Sequence, residues 1–428
     1  MTRRRRIALG IGLVLFLTGS TTFFPPLFDL LDRDGEFIPA RDSRAFAAER
    51  ADHKAIPSAV LDIACDGAAD DAPAINAAIQ DARTKYPPTQ GSAWPVGHLI
   101  RLTLPPRQCT IRSTLNMTGL YGSGFVADFW GSSILCKTKG TPCIDMTGTG
   151  QASLLGLNVV GAAEDAPNIG LMIGRRTNDG VGADHLEIDH PTITGFFTLA
   201  PYVNLGSETT LVNHAWFSNW VPNAYGAIFD GLNHFHLASV FAQNGTLKPD
   251  HQYSFNENTC IECIVEVFGD GDIALWMGQT ARHRWINGYI YYHPALETPE
   301  PAVQLYFGDG AVNDFLDLDV HFEDQHLSSL VQFIGSSNPS VRSLHMRDSY
   351  PSQSGPLFSR GSGVNTVEIQ DADLHFGFLA GHNPSWWDSP SSYDVSGTIY
   401  SLDGSYKKPR NFSGMSCVMS KCNFFRAL

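Results

Sequence analysis

A single short amphipathic helix at the start of an otherwise strand-like chain is the feature that most constrains the fold. The apolar residues of segment 66–83 recur at helical spacing and form one narrow stripe: Ile75, Ala78, Ile79 and Ala82. Asp70 or Asp71 can accept the free N–H groups of the first turn, and Pro73 suits a first-turn position. Helical periodicity then almost disappears from the rest of the chain. The pattern predicts a helix that caps a long array of strands.

Short apolar segments recur along the remaining chain, starting about 21 to 30 residues apart, which is the length of one solenoid repeat. Turn signals such as Asp-Gly separate them at 179–180, 230–231, 270–271 and 309–310. The pattern favours a β-solenoid. A two-sheet β-sandwich is the alternative, but it would normally show more two-residue hairpins.

A resemblance to a known superfamily lies where the helix meets the first strands. The Asp-Gly, Asp-Asp and Ala-Ile pairs of segment 66–79 precede Leu-Thr-Leu-Pro-Pro at 102–106 and Cys-Thr-Ile at 109–111. Segment 61–135 resembles the start of the pectate-lyase-like superfamily, closest to its rhamnogalacturonase, epimerase and phage-tailspike branch. The segment 106–109 departs from the family pattern, which has Gly and Tyr there. The resemblance implies an all-β fold, a single-stranded right-handed parallel β-helix with an N-terminal capping α-helix, and it says little about activity.

Four regions are expected along the chain. Residues 1–24 combine four arginines, a short apolar run and small residues, which indicates a signal peptide or an uncleaved signal anchor. A linker is expected at 25–54, the β-helix with its N-terminal cap at 55–385, and a C-terminal cap or tail at 386–428. The protein is therefore expected to be exported, to the periplasm, the cell envelope or the medium, with a membrane anchor if the signal is not cleaved.

Charge and cysteine content narrow the function classes. The net charge of −14 argues against a nucleic-acid partner, because nucleic-acid binding needs a basic surface. Eight cysteines fit an exported chain, and three pairs are expected to form disulfides: Cys65–Cys109, Cys136–Cys143 and Cys417–Cys422. Cys260 and Cys263 form a CxxC motif, but no further zinc ligands accompany them, which favours a structural or free-thiol role.

The clearest alternation of the chain lies at 315–323. Its outer row is expected to carry three carboxylates and one imidazole, from Asp317, Asp319, His321 and Glu323. Like charges this close raise at least one carboxylate pKa, as a general acid requires. Residues i and i+2 of a strand lie about 6.6–7 Å apart, within the carboxyl separation of inverting glycosidases. Asp317 and Asp319 are the expected acid and base. The alternatives are a solvated strand face without chemistry and a Ca²⁺ site, since oxygen ligands suit that ion.

The neighbouring repeats are expected to supply substrate-binding groups on the same face. With Ile286 and Ile290 inward, aromatic residues of the preceding repeat would face out, and the following repeat would add a histidine and an arginine. The expected binding residues are Trp285, Tyr289, Tyr291, His345 and Arg347. If the strands align, the three rows form a groove across the solenoid.

These features predict an exported enzyme that cleaves glycosidic bonds in a polysaccharide by carboxylate acid/base hydrolysis. A polysaccharide lyase or uronate epimerase is the first alternative, and a non-catalytic glycan-binding envelope protein is the second. No cofactor is expected apart from Ca²⁺ at the acidic row. The expected partner is a polysaccharide, and the chain is expected to act as a monomer or a homotrimer.

Overall fold

Parallel strands make up nearly all of the structure. The computed structural model describes residues 58–60, 65, 69–85, 101–120, 125–174, 185–207, 209–230, 255–256, 258–278, 280–281, 283–293, 300–307, 316–323, 328–335, 338–348, 356–376, 385–401 and 411–418. These belong to one compact unit, 56–428. The expected signal and linker lie outside the described residues. Among the residues described, no helix has the length and apolar character needed to cross a membrane.

The described part contains one α-helix, a 3₁₀ turn and a long series of strands. Helix α1 is Ala72–Lys85, and the 3₁₀ turn is Pro390–Ser392. The strands, in chain order, are β1 (Ser58–Val60), β2 (Arg101–Thr103), β3 (Gln108–Ile111), β4 (Leu115–Asn116), β5 (Val126–Asp128), β6 (Ser133–Cys136), β7 (Ile144–Asp145), β8 (Ala152–Leu155), β9 (Asn158–Gly161), β10 (Ile169–Gly174), β11 (Leu186–Asp189), β12 (Thr192–Gly195), β13 (Ala200–Leu205), β14 (Leu211–Asn213), β15 (Trp216–Asn219), β16 (Tyr225–Asp230), β17 (Phe255–Asn256), β18 (Thr259–Ile261), β19 (Ile264–Val267), β20 (Ile273–Gly278), β21 (Thr280–Ala281), β22 (His283–Tyr292), β23 (Val303–Phe307), β24 (Leu316–Glu323), β25 (Val331–Gly335), β26 (Ser340–Arg342), β27 (Leu344–Asp348), β28 (Phe358–Arg360), β29 (Val367–Phe376), β30 (Tyr393–Ser401) and β31 (Asn411–Val418).

The strands stack into two main sheets, and successive coils of the chain pair with each other. The larger sheet has 20 described strands and the smaller has nine, with β17 and β21 forming a separate pair. Strands β8, β9 and β10 pair in parallel with β11, β12 and β13 of the next coil. Each complete coil therefore adds two segments to the larger sheet and one to the smaller sheet. This arrangement confirms the predicted parallel β-helix.

Alternation along the strands of the smaller sheet separates two apolar clusters. In β10, Leu171 and Ile173 lie in the main core inside the solenoid, whereas Met172 belongs to a second, smaller cluster. The same alternation puts Tyr202 of β13 in the main core and its neighbour Val203 in the second cluster. Successive side chains of a strand point to opposite faces, so the second cluster lies on the outer face of the smaller sheet.

The predicted capping helix is present, but its two aspartates bond to the first strands as well as to the helix. The Asp70 carboxylate accepts hydrogen bonds from the N–H groups of Ala72 at 3.1 Å and Arg112 at 2.9 Å. The buried Asp71 carboxylate accepts the N–H of Thr110 at 2.8 Å. Asp70 is therefore a helix cap as predicted, whereas Asp71 satisfies the backbone of β3.

Side chains of α1 continue this pattern along the next strand. Asn76 donates its amide N–H to the Thr114 carbonyl at 2.9 Å and accepts the N–H of Asn116 at 2.8 Å. The Arg83 guanidinium donates to the carbonyl oxygens of Asn116 and Thr118. The helix thus provides the first coil with hydrogen-bond partners that a preceding strand would otherwise supply.

Three disulfides occur in the described residues: Cys65–Cys109, Cys136–Cys143 and Cys260–Cys263. The first two confirm the predicted pairs. The third shows that the CxxC motif is a buried cross-link of one turn, so a free-thiol role for Cys260 and Cys263 is wrong. The expected Cys417–Cys422 pair falls outside this description, because Cys422 is not among the described residues.

The larger sheet continues beyond residue 386, where the sequence predicts a cap or tail. Strand β30 pairs in parallel with β29, and β31 pairs with β30. Trp386 and Trp387 are buried, and Trp387 stacks on Phe358 with ring centroids 4.8 Å apart. The tryptophan pair therefore packs inside the solenoid.

A buried histidine in β22 should make the solenoid sensitive to acid. His283 is fully buried and packs beside Phe229, and burial lowers its pKa from 6.5 to about 3. The imidazole stays neutral in the folded chain but gains a proton on unfolding below pH 6.5. Its contribution to stability is therefore complete above pH 6.5 and is lost as the pH falls toward 3.

Because of His283, we expect the free energy of unfolding to fall by about 2–3 kcal/mol when the pH is lowered from 7.5 to 4.5. Denaturant titrations of the wild type and His283→Phe at both pH values measure it, and the variant should lose less stability on acidification. The control is a variant at the exposed His185, His185→Asn, which should lose as much stability as the wild type. Equal losses in the wild type and His283→Phe would contradict the assignment.

Candidate functional site

The outer face of the larger sheet carries large aromatic side chains in the middle coils. Trp216 of β15 is 45% exposed, Trp220 just after it is 44% exposed, and Phe268 after β19 is 43% exposed. Their strand neighbours Phe217 and Val267 are fully buried in the core. Exposed apolar side chains grouped in this way commonly mark a binding surface.

Backbone register brings these residues into columns across three strands. Trp216 pairs with Ile264, and Ile264 pairs with Tyr289 of β22. In the next column, Ser218 pairs with Glu266, which pairs with Tyr291. Parallel strands lie about 4.8 Å apart, so each column forms a ladder of side chains.

Six rings of this face form a continuous series of contacts: Phe196, Trp220, Phe268, His293, Tyr291 and Tyr289. Trp216 adjoins them through the hydrogen bond of its indole N–H to Glu266, and we call the seven residues together the aromatic strip. Phe196 and Trp220 meet edge to face at 5.3 Å, and Trp220 meets Phe268 at 6.3 Å. The series continues through stacked pairs, with centroid distances of 4.9 Å for Phe268–His293, 6.0 Å for Tyr291–His293 and 5.0 Å for Tyr289–Tyr291.

Glu266 places a carboxylate within the aromatic strip. Its Oε2 accepts the indole N–H of Trp216 at 3.1 Å, and its Oε1 lies 3.4 Å from Nε2 of His293. Partial burial acts to raise the pKa of Glu266, but the hydrogen bonds from His293 and Trp216 outweigh it and lower the pKa overall. Glu266 is thus a carboxylate at neutral pH, suited to accept hydrogen bonds and not to donate a proton.

The expected alignment of the aromatic, acidic and His/Arg rows is present in the backbone. Tyr289 pairs with His321 of β24, and His321 pairs with Arg347 of β27. Tyr291 pairs with Glu323. The aromatic strip and the predicted acidic strand are therefore neighbours in the same sheet.

The other predicted residues of this region also have assigned strand positions. Asp319 pairs with the half-buried His345, and Asp317 pairs with Arg284. For β24 the structure describes the backbone and not the side chains, and the same holds for Arg347. The acid and base roles of Asp317 and Asp319 therefore stay predictions, as do the roles of His321 and Glu323.

The predicted outward position of Trp285 is wrong. Its side chain is fully buried and meets Phe229 at 5.3 Å, edge to face, inside the core. The strand register shifts between Trp285 and Gly288, and Asn287 has a left-handed φ of 52°. This irregularity interrupts the alternation of the strand. Trp285 and Ile290 therefore both point inward, although in a regular strand their odd separation would place them on opposite faces.

Trp285 also explains why position 288 is a glycine. A Cβ at this position would lie 1.7 Å from Nε1 of the Trp285 indole, so no larger residue fits without moving the ring. The aromatic surface that the sequence predicts at Trp285 is instead provided by Trp216, Trp220 and Phe268. The sequence indicates this surface through the alternation of residues 216–220. Trp216 and Trp220 occupy the outward positions, and Phe217 occupies an inward one.

No protein-family model and no curated protein matches this chain. Among solved structures, it is similar to ORF18 of Geobacillus virus E2, with 10% identity and a TM-score of 0.53, over 81% of this chain and 62% of the viral chain. This chain thus spans less than two thirds of the viral protein's length. It is also similar to PfbA, a surface adhesin of Streptococcus pneumoniae, with 11% identity, a TM-score of 0.46 and coverage of 85% and 92%. The A-module of the Azotobacter vinelandii mannuronan C-5 epimerase AlgE6 has 12% identity, a TM-score of 0.47 and coverage of 83% and 98%. At this identity the likeness to the viral protein shows the fold alone, and that fold agrees with the pectate-lyase-like resemblance.

Proposed function

We propose that this protein binds a polysaccharide along the aromatic strip and hydrolyses it at the adjoining strand β24. The observation that carries the proposal is the aromatic strip around the Glu266 carboxylate, in which three side chains are exposed by more than two fifths. Aromatic faces stack on the apolar faces of sugar rings. The carboxylate and imidazole beside them are suited to bond sugar hydroxyls. A mixed surface of this kind fits a glycan better than a lipid or a purely apolar partner.

The position of β24 supports hydrolysis next to the bound chain. A glycan that contacts Tyr289 and Tyr291 would extend over the neighbouring strand, whose residues His321 and Glu323 pair with them. In this proposal Asp317 and Asp319 are the acid and the base, and His321 and Glu323 tune them. His345 and Arg347, one strand further on, would hold the substrate.

The proposal includes export of the protein. Three disulfides occur in the described residues, and such bonds form and persist in oxidising compartments. A polysaccharide substrate outside the cytoplasm is consistent with that setting. Detection of the mature chain in periplasmic or culture fractions, rather than in the cytosol, tests this part.

The strip itself is tested by removing its two exposed indoles. Trp216→Ala/Trp220→Ala should weaken binding to the cognate polysaccharide by about 10- to 100-fold, because stacked aromatic side chains often dominate such contacts. Affinity electrophoresis across neutral and uronate polysaccharides measures it. The matched control is Trp130→Ala, which removes an indole that is 54% exposed but lies outside the strip. Equal loss in the control, or no loss in the double variant, contradicts the proposed surface.

Product analysis on the same panel separates the proposed hydrolysis from its alternatives. New reducing ends without ultraviolet absorbance indicate hydrolysis, and an absorbing unsaturated product indicates a lyase. Uronate inversion without cleavage indicates an epimerase. Loss of either uronate reaction in EDTA would favour Ca²⁺ on the acidic strand. Strip-dependent binding with no turnover would favour a non-catalytic glycan-binding protein.

A further inference from the structure

A second group of polar side chains lies at one turn of the larger sheet, outside the aromatic strip. In successive coils the residue between the two strand segments has a left-handed backbone: φ is 52° for His190, 51° for His214 and 53° for Glu262. Few residues other than glycine adopt this conformation readily. Because the turns stack coil upon coil, the side chains of the two histidines and the glutamate form a short column on the surface.

The two histidines of the column face each other and each contacts a carboxylate. The imidazole rings of His190 and His214 are stacked, with centroids 4.5 Å apart and planes 10° apart. His190 Nδ1 lies 2.9 Å from the carboxylate of Asp189. His214 Nε2 lies 2.9 Å from the carboxylate of Glu262. Both side chains are almost half exposed, so solvent and ions reach them.

We propose that Asp189, His190 and His214 bind one divalent transition-metal ion, with Zn²⁺ as the best match. One ligand atom from each of the three residues lies within 4.8 Å of the others. Imidazole nitrogen and carboxylate oxygen are ordinary Zn²⁺ ligands at about 2.0–2.2 Å. Binding would require the half-exposed rings to turn out of their parallel stack, so that their in-plane nitrogen lone pairs converge on the ion. Imidazole ligands also suit Cu²⁺ and Ni²⁺, whereas Ca²⁺ prefers an all-oxygen set.

Glu262 completes the arrangement as a positioning residue. A metal-binding histidine usually donates its other ring N–H to a carboxylate, which fixes the tautomer and the ring orientation. Glu262 occupies that position for His214 and also accepts a hydrogen bond from the Asn287 amide at 3.5 Å. Three protein ligands leave a fourth position of a tetrahedral ion open to solvent. The site would therefore also accept water or a hydroxyl of a bound molecule.

Calorimetric titration of the EDTA-treated full chain with ZnCl₂ tests the site in the absence of any glycan. We expect one equivalent to bind. His190→Ala and His214→Ala should each weaken binding by tenfold or more, and Glu262→Gln by about 10- to 100-fold. His375→Ala is the matched control, because His375 also pairs with a carboxylate, that of Asp373 at 2.8 Å, but belongs to another column. The control should bind as the wild type does.

Two further results would decide the proposal. Cu²⁺ should quench the fluorescence of Trp130, whose ring lies 5.4 Å from His190, and quenching should be lost in His190→Ala/His214→Ala. The proposal is overturned if Zn²⁺ does not bind, or if the double variant binds it as tightly as the wild type. Because no polysaccharide is present, either result leaves the glycan-binding proposal untouched.

Discussion

An Asp319→Asn variant is expected to cleave the cognate polysaccharide about 10²- to 10⁴-fold more slowly than the wild type, the range lost with a general acid or base. Asp319 lies on β24, where its neighbour in the next coil is His345. Its amide replacement has nearly the same shape but can neither donate nor accept the proton in the reaction. Initial rates of reducing-end release, measured at saturating substrate, give the effect on turnover.

Asp317→Asn is expected to cause a loss of the same order, since the two carboxylates are proposed to act as a pair. A matched control is Asp394→Asn on β30 of the same sheet, where the carboxylate accepts a hydrogen bond from Asn411 at 2.9 Å. This variant should retain wild-type turnover. Full activity in both Asp317→Asn and Asp319→Asn would show that the acidic strand takes no part in catalysis. It would not affect the proposal that the aromatic strip binds the polysaccharide.

Removing the disulfide that ties the N-terminal cap to the first coil should cost about 4 kcal/mol of unfolding free energy. The Cys65–Cys109 bond closes a loop with a sequence separation of 44, and the loss follows from the chain entropy that this loop restricts in the unfolded state. The measurement is chemical denaturation of Cys65→Ser/Cys109→Ser under non-reducing conditions. The free energy should be taken from the transition of the cap region, because solenoids can unfold in parts.

The short disulfide Cys136–Cys143 offers the comparison. Its sequence separation is only seven, so the same chain-entropy argument gives a loss of about 2 kcal/mol for Cys136→Ser/Cys143→Ser. The order of the two losses is the diagnostic result. If the short loop costs as much as the long one, the effect comes from packing of the buried sulfurs and not from loop closure.

The fold was predictable because its signals are local and repeated. The apolar stripe of Ile75 and Ile79 indicated the capping helix, and both residues are buried against the solenoid. The recurrence of short apolar segments about 21 to 30 residues apart indicated coils, and the pairing of β8 with β11 shows such a coil. The bond of the Asp71 carboxylate to Thr110 of β3 was not predictable, because a carboxylate before a helix ordinarily bonds to the helix itself.

The site was only partly predictable, and Trp285 shows why. Along a regular strand, residues an even number of positions apart face the same side. The register shift before Gly288 breaks this rule, and the sequence does not mark such a shift clearly. Trp216 and Trp220 were missed for the opposite reason. Large apolar residues are ordinarily assigned to the core, although the alternation around the buried Phe217 places both of them outside.

The hydrogen bonds between α1 and the first coil also limit how molecules of this protein can associate. A parallel sheet that ended at β3 and β4 would present the bare N–H groups of Thr110, Arg112 and Asn116, which form a template onto which another chain could add a strand. Asp71, Asp70 and Asn76 occupy those three groups. With respect to association, the cap thus removes these three N–H groups as places where a strand of another molecule could add.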